Sequence, residues 1–159
     1  MKPLVIGLGN DLMGDDAIGI LAARSLKEQV ATRADVVESA LHGVALLDIF
    51  IGYRRAIIID AIHTGTRPPG SILDIDPATL EATVSPSPHF SGLPELQTIA
   101  RELGLDFPKD VRIVAVEVSG AFEIGRPISP AVAEALVPLV ERVKRLLADW
   151  EKKPETEAS

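Results

Sequence analysis

Residues 4–16 read Leu-Val-Ile-Gly-Leu-Gly-Asn-Asp-Leu-Met-Gly-Asp-Asp. A short apolar run stopped by glycines predicts a buried strand over residues 3–7. The two aspartates then stand where a helix begins. Ile18, Leu21, Ala22, Leu26 and Val30 recur at helical spacing, while Arg24, Lys27 and Glu28 fall on the opposite face. A strand that runs through a glycine turn into an amphipathic helix is the opening unit of an α/β fold.

The rest of the chain repeats that alternation. Residues 34–39 suggest a second strand and residues 44–51, after Gly43, a short helix. The most apolar run, 56–60, is read as a strand ending in Asp60. Residues 71–75 alternate like a half-buried strand, and 85–92 form a Ser/Pro/Gly loop around His89. A helix is expected to start between Ser91 and Pro94 and to run to Gly104, followed by a strand over 111–118. Ser129-Pro130 announces a long helix, with serine as N-cap, proline in the first turn and Val132, Leu136, Leu139, Val140, Val143, Leu146, Leu147 and Trp150 along one face. Alternating strands and helices predict an α/β sandwich with a mostly parallel sheet. Residues 1–151 are read as one domain and 152–159 as a polar tail.

Composition narrows the function. With 159 residues, 47% of them apolar, the chain can bury one sizeable core. No apolar run is long enough to cross a bilayer, and Met1-Lys2-Pro3 leads directly into a strand, so a cytoplasmic location without membrane insertion is expected. There are no cysteines, which excludes disulfides, thiolate nucleophiles and iron–sulfur clusters. A net charge of −7 argues against nucleic-acid binding, because phosphates repel such a surface.

The Gly7-Leu8-Gly9 turn does not make a dinucleotide site. The third glycine of that fingerprint belongs at position 12, which is Leu12, and a pyrophosphate at the helix start would meet Asp15 and Asp16. Gly7 and Gly9 are read as tight-turn residues. One acid at a helix start satisfies the macrodipole, a gain of about 0.3–1 kcal/mol. Two suggest divided work: Asp15 caps the helix and Asp16 faces a cleft. Asp60 sits at the carboxyl end of a strand, where open α/β sheets bind ligands. Asp16, Asp60 and His89 together would suit zinc, nickel or cobalt, with a coordination position left for water or substrate. His63, three residues beyond Asp60, is a rival ligand, and His42 lacks a comparable setting.

The run from Gly7-Leu8-Gly9-Asn10-Asp11-Leu12 through Asp15-Asp16-Ala17-Ile18-Gly19 resembles the N-terminal motif of the hydrogenase maturation endopeptidases. Ile59-Asp60-Ala61 followed by Pro69-Gly70 resembles their second motif, and Ser87-Pro88-His89 with Gly92-Leu93 their third. Gly43 with Leu46-Leu47, and Gly125 with Ile128-Ser129-Pro130, match weaker features. The resemblance implies a three-layer α/β/α domain around a twisted, mostly parallel, five-stranded sheet. It implies an endopeptidase that removes the C-terminal extension of a nickel–iron hydrogenase large-subunit precursor after nickel insertion. Nickel would be contacted by Asp16, Asp60 and His89, with Asp16 and Asp60 as the catalytic acids. The nickel would travel with the substrate, and another divalent ion would be able to occupy the site of the isolated protein. A monomer is expected. A non-catalytic nickel-binding chaperone or docking factor is the alternative. Asp16 stands where many members carry glutamate and Ala17 where many carry glycine; Phe90-Ser91 and His63 also depart from the pattern. These departures bear on which hydrogenase is the target.

Overall fold

β1 (Leu4–Leu8) lies between two parallel neighbours, β2 (Asp35–Ser39) on one side and β3 (Arg55–Ile62) on the other. In a computed structural model describing residues 1–79, 92–120 and 124–153, β5 (Asp110–Glu117) pairs in parallel with β3, and β4 (Ile72–Ile75) closes the edge antiparallel to β5. The sheet order is β2-β1-β3-β5-β4. The expected five-stranded, mostly parallel sheet is therefore present, with one antiparallel edge.

Helices cover both faces. One face receives α1 (Ile18–Gln29), α4 (Pro130–Glu134) and α5 (Leu136–Lys152). There Ile18, Ala22 and Leu26 pack with Ile57, Ile59, Val114, Leu139, Val143 and Trp150. The other face receives α2 (Leu47–Phe50) and α3 (Leu93–Glu102), where Phe50, Leu93 and Leu96 pack on Ile6, Ile58 and Ile113. Strand residues alternate between the two cores, as a pleated strand buried on both sides must.

Three expectations are corrected. β3 does not stop at Asp60; its pairing with β5 continues to Ile62↔Glu117, so Asp60 is a fully buried strand residue rather than the strand's last. The C-terminal helix is two, broken at Ala135. Pro138 has no N–H to give the Glu134 carbonyl, and its ring would collide with that carbonyl in a continuous helix. Gly7 belongs to β1 and is not a turn residue.

Gly7 serves a close approach instead. A Cβ at Gly7 would lie 2.1 Å from the Gly19 carbonyl oxygen, and one at Gly19 would lie 2.2 Å from that of Leu8 and 2.6 Å from that of Ile59. The first turn of α1 thus rests backbone to backbone on β1 and β3. Gly19→Ala should destabilise the fold by about 1–3 kcal/mol, because the atoms in the way are main-chain and cannot turn aside. Urea unfolding checks this; an unchanged midpoint would contradict the close packing.

Candidate active site

The chain leaves β1 to reach β2 by way of α1, on one face, and enters β3 by way of α2, on the other. The carboxyl ends of β1 and β3 therefore border the crevice where the winding direction reverses, the usual ligand position of an open parallel sheet. Asp16 and Asp60, two of the expected acids, belong to segments at this end of the sheet.

Asp16 is carried by a 3-10 turn, Gly14–Ala17, that lies between β1 and α1 and packs against β3. Gly9, at φ +151°, allows the approach: a Cβ there would lie 2.1 Å from the Asp16 carbonyl oxygen. Asp16 is 8% exposed. β1 pairs with β3 only as far as Gly7↔Ile59, so Asp60 belongs to the part of β3 that projects past this pairing. Its Oδ1 accepts the Ala61 N–H at 2.8 Å, and its side chain is completely buried. Strand alternation puts Asp60 on the face of Ile58 and Ile62, the side covered by α3. His89 falls within residues 80–91, outside the described residues. Among the described residues no three His, Asp or Glu side chains come together as a metal site.

Asp15 does not cap α1, which has no side-chain cap. Its carboxylate reaches across to the start of α4, accepting the Ser129 N–H at 2.6 Å and the Ser129 Oγ hydrogen at 2.8 Å. A second tie runs beside it, from Gly125 N–H to the Leu12 carbonyl at 2.8 Å. The loop bearing Asp16 is thus held to the segment before α4. The expectation that Asp15 caps α1 is therefore corrected: Asp15 secures the start of α4, and Asp16 lies in the turn between β1 and α1. On the loop's other flank, Arg24 bridges Asp11 and Glu38 with 3.0 Å contacts to each. Hydrogen bonds to Glu38 and then to Asp11 push the guanidinium pKa further up.

His63 does not complete a three-ligand set with Asp16 and Asp60 among the described residues. Its Nδ1 lies 2.9 Å from the Val118 carbonyl and 4.0 Å from Glu117 Oε2, and its ring packs where a Cβ on Gly120 would sit. Glu117 is buried and accepts hydrogen bonds from the Thr64 N–H, at 2.8 Å, and the Thr64 hydroxyl. It fastens the start of the β3–β4 connection to the end of β5. Sequence reasoning passed over Glu117, although a lone acid ending an apolar strand is the signal that singled out Asp60. Nothing local to Ser129 announced its bond to Asp15, 114 positions away.

Asp15→Ala should cost about 1–3 kcal/mol, since it leaves two donors without their charged acceptor. Ser129→Ala should cost less, because the backbone N–H keeps its bond. The double variant should fall short of the sum of the two. Denaturant titration of the four proteins checks this; full additivity would show that the two residues do not interact.

A family model described as hydrogenase maturation protease matches residues 20–146. The hydrogenase 2 maturation protease of Escherichia coli is 28% identical over 153 residues, covering 94% of this chain and 92% of that protein. The hydrogenase expression/formation protein HupD of Thiocapsa roseopersicina is 26% identical over 153 residues, covering 92% of this chain and 68% of HupD. Among solved structures, the hydrogenase maturating endopeptidase HybD from E. coli superposes with a TM-score of 0.73 at 30% identity, covering 94% of this chain and 93% of HybD. The family-model match takes in most of α1, the whole of β2 to β5 and most of α5, and begins after β1 and Asp16. With its fold and its sequence both matched over most of their length, the chain belongs to the hydrogenase maturation protease family and is a peptidase.

Proposed function

We propose that this peptidase removes the C-terminal extension of a nickel–iron hydrogenase large-subunit precursor, and that it recognises nickel carried by that precursor through Asp16, Asp60 and His89. The observation that carries the reading is the position of the two acids. They come from different parts of the chain, Asp16 from the turn between β1 and α1 and Asp60 from β3, yet both belong to the end of the sheet where its winding reverses, and both are recessed from solvent. Two carboxylates offer hard oxygen donors, and an imidazole would make the set suitable for a borderline divalent ion. The nickel belongs to the substrate in this reading, and another divalent ion can take its place in the isolated protein.

Hydrolysis then needs a water, a proton acceptor and a held peptide. Cysteine is absent from the chain, so no thiolate serves as nucleophile. Water attacks the scissile carbonyl as one of the two carboxylates accepts its proton, and the carboxylic acid so formed returns that proton to the departing amine nitrogen as the C–N bond breaks. A recessed carboxylate acts in a medium of lower dielectric than water, where its field at the reacting atoms is stronger. Nothing in this scheme requires two aspartates to share a proton.

Asp16→Asn and Asp60→Asn each keep the shape of the side chain and remove its charge. Both should lower precursor cleavage by at least about 100-fold, the lower range for loss of a general base or of a charged stabilising group. Incubation with precursor and mass spectrometry of the released tail reads this, with circular dichroism as the check on folding. Normal processing by either folded variant would contradict the assignment of that residue. Binding of precursor without cleavage by the wild-type chain would favour a docking factor instead.

A further inference from the structure

We infer that an exposed aliphatic collar, built from Leu12, Leu41, Val44 and Ile124, is the surface on which the precursor's folded body docks while its tail enters the crevice. The inference rests on the proposed function above and names the contact surface of that same site.

Eight large apolar side chains are exposed among the described residues, and these four are half of them. Leu12 is 64% exposed, Val44 63% and Ile124 83%. All four belong to the loops that follow the carboxyl ends of the strands. Met1, Leu103 and Leu105 lie towards the opposite end of the sheet, and Val137 is on the solvent side of α5. Aliphatic exposure is thus gathered around the rim that holds Asp16 and Asp60.

The loops presenting these side chains are well tied. Asn10 organises the first: its Oδ1 accepts the Leu12 N–H at 3.0 Å and its carbonyl accepts the Met13 N–H at 3.2 Å. The Leu12 carbonyl takes the Gly125 N–H, which seats Ile124 beside this loop. On the other flank, the Gly9 N–H reaches the Ser39 carbonyl at 3.2 Å, and the Ser39 Oγ takes the Leu41 N–H at 3.1 Å. Val44 follows in the turn that begins at Gly43. A leucine held in water by a bonded turn forgoes the gain of burying it. That gain is available to a partner, and a loop already ordered loses little entropy when the partner arrives.

The recessed acids select the occupant. Asp60 is fully buried and Asp16 nearly so, which suits a slender extended tail and not a folded surface as the part of the substrate that approaches them. A segment attached to a folded protein brings that protein's surface against the loop tips. Exposed apolar side chains with the Asp11–Arg24–Glu38 ion network beside them match the pattern of apolar centre and polar rim common to protein interfaces.

The test uses the full-length chain, a Leu12→Ser/Val44→Ser/Ile124→Ser variant and a control, Leu103→Ser/Leu105→Ser/Val137→Ser, that replaces the same number of exposed aliphatic side chains elsewhere. Affinity for a nickel-loaded large-subunit precursor is measured by biolayer interferometry, and tail release is followed in parallel. The collar variant should bind at least tenfold more weakly, with the control unchanged. Equal affinity of wild type and collar variant would overturn the collar while leaving the protease reading intact. Wild-type binding without cleavage, lost in the collar variant, would uphold the collar and overturn the protease reading. Absence of wild-type binding would overturn the docking assignment. Sedimentation of the wild type as a dimer and of the collar variant as a monomer would assign the surface to a second copy of the chain and overturn it likewise.

Discussion

The backbone contact between α1 and the ends of β1 and β3 is the constraint from which the site follows. Gly7 and Gly19 have no side chains, and the helix comes down onto the sheet until carbonyl oxygens occupy the places where Cβ atoms would be. That depth decides where the preceding 3-10 turn lies. With Gly9 making room for the Asp16 carbonyl, the turn rests against β3, which puts Asp16 at the same end of the sheet as Asp60. A helix standing off by the width of one methyl group would carry Asp16 away from β3. The glycines that resemble a nucleotide fingerprint therefore serve packing, and acids stand where a phosphate would have to bind.

Around this contact the polar groups divide into those that border the crevice and those that brace it. Asp15 ties the turn to Ser129, Glu117 ties the β3–β4 connection to β5, and Arg24 ties Asp11 to Glu38. Each brace joins a loop at the carboxyl rim to an element on a different part of the sheet. A hydrolytic site benefits from such fixing, because small displacements of a reacting group cost large factors in rate.

Much of this was legible in the sequence, since periodicity is local. The apolar runs at 3–7 and 56–60 and the stripe through Ile18, Ala22 and Leu26 declare strands and a helix within a few residues of their observed bounds. Asp60 stood out because it follows an apolar run, at what reads as the carboxyl end of a strand, where open α/β sheets bind ligands. What escaped was set by distant parts of the chain. β3 runs past Asp60 because β5 pairs with it there, and Asp15 turns away from its own helix because Ser129 offers two donors. The break before α5 was local but overlooked: Pro138 lies inside a stripe so regular that the pattern hid it. His89, the expected third ligand, is outside the described residues, and its role stays within the proposal.

The most direct test of the account compares one large-subunit precursor in nickel-loaded and nickel-free forms, each incubated with the wild-type chain, with mass spectrometry of the released tail. If the metal-bearing substrate is recognised by the acids at the crevice, only the loaded form is shortened, by a single cut. Equal cleavage of both forms would show that nickel is not what the crevice reads, and would contradict the account at its centre.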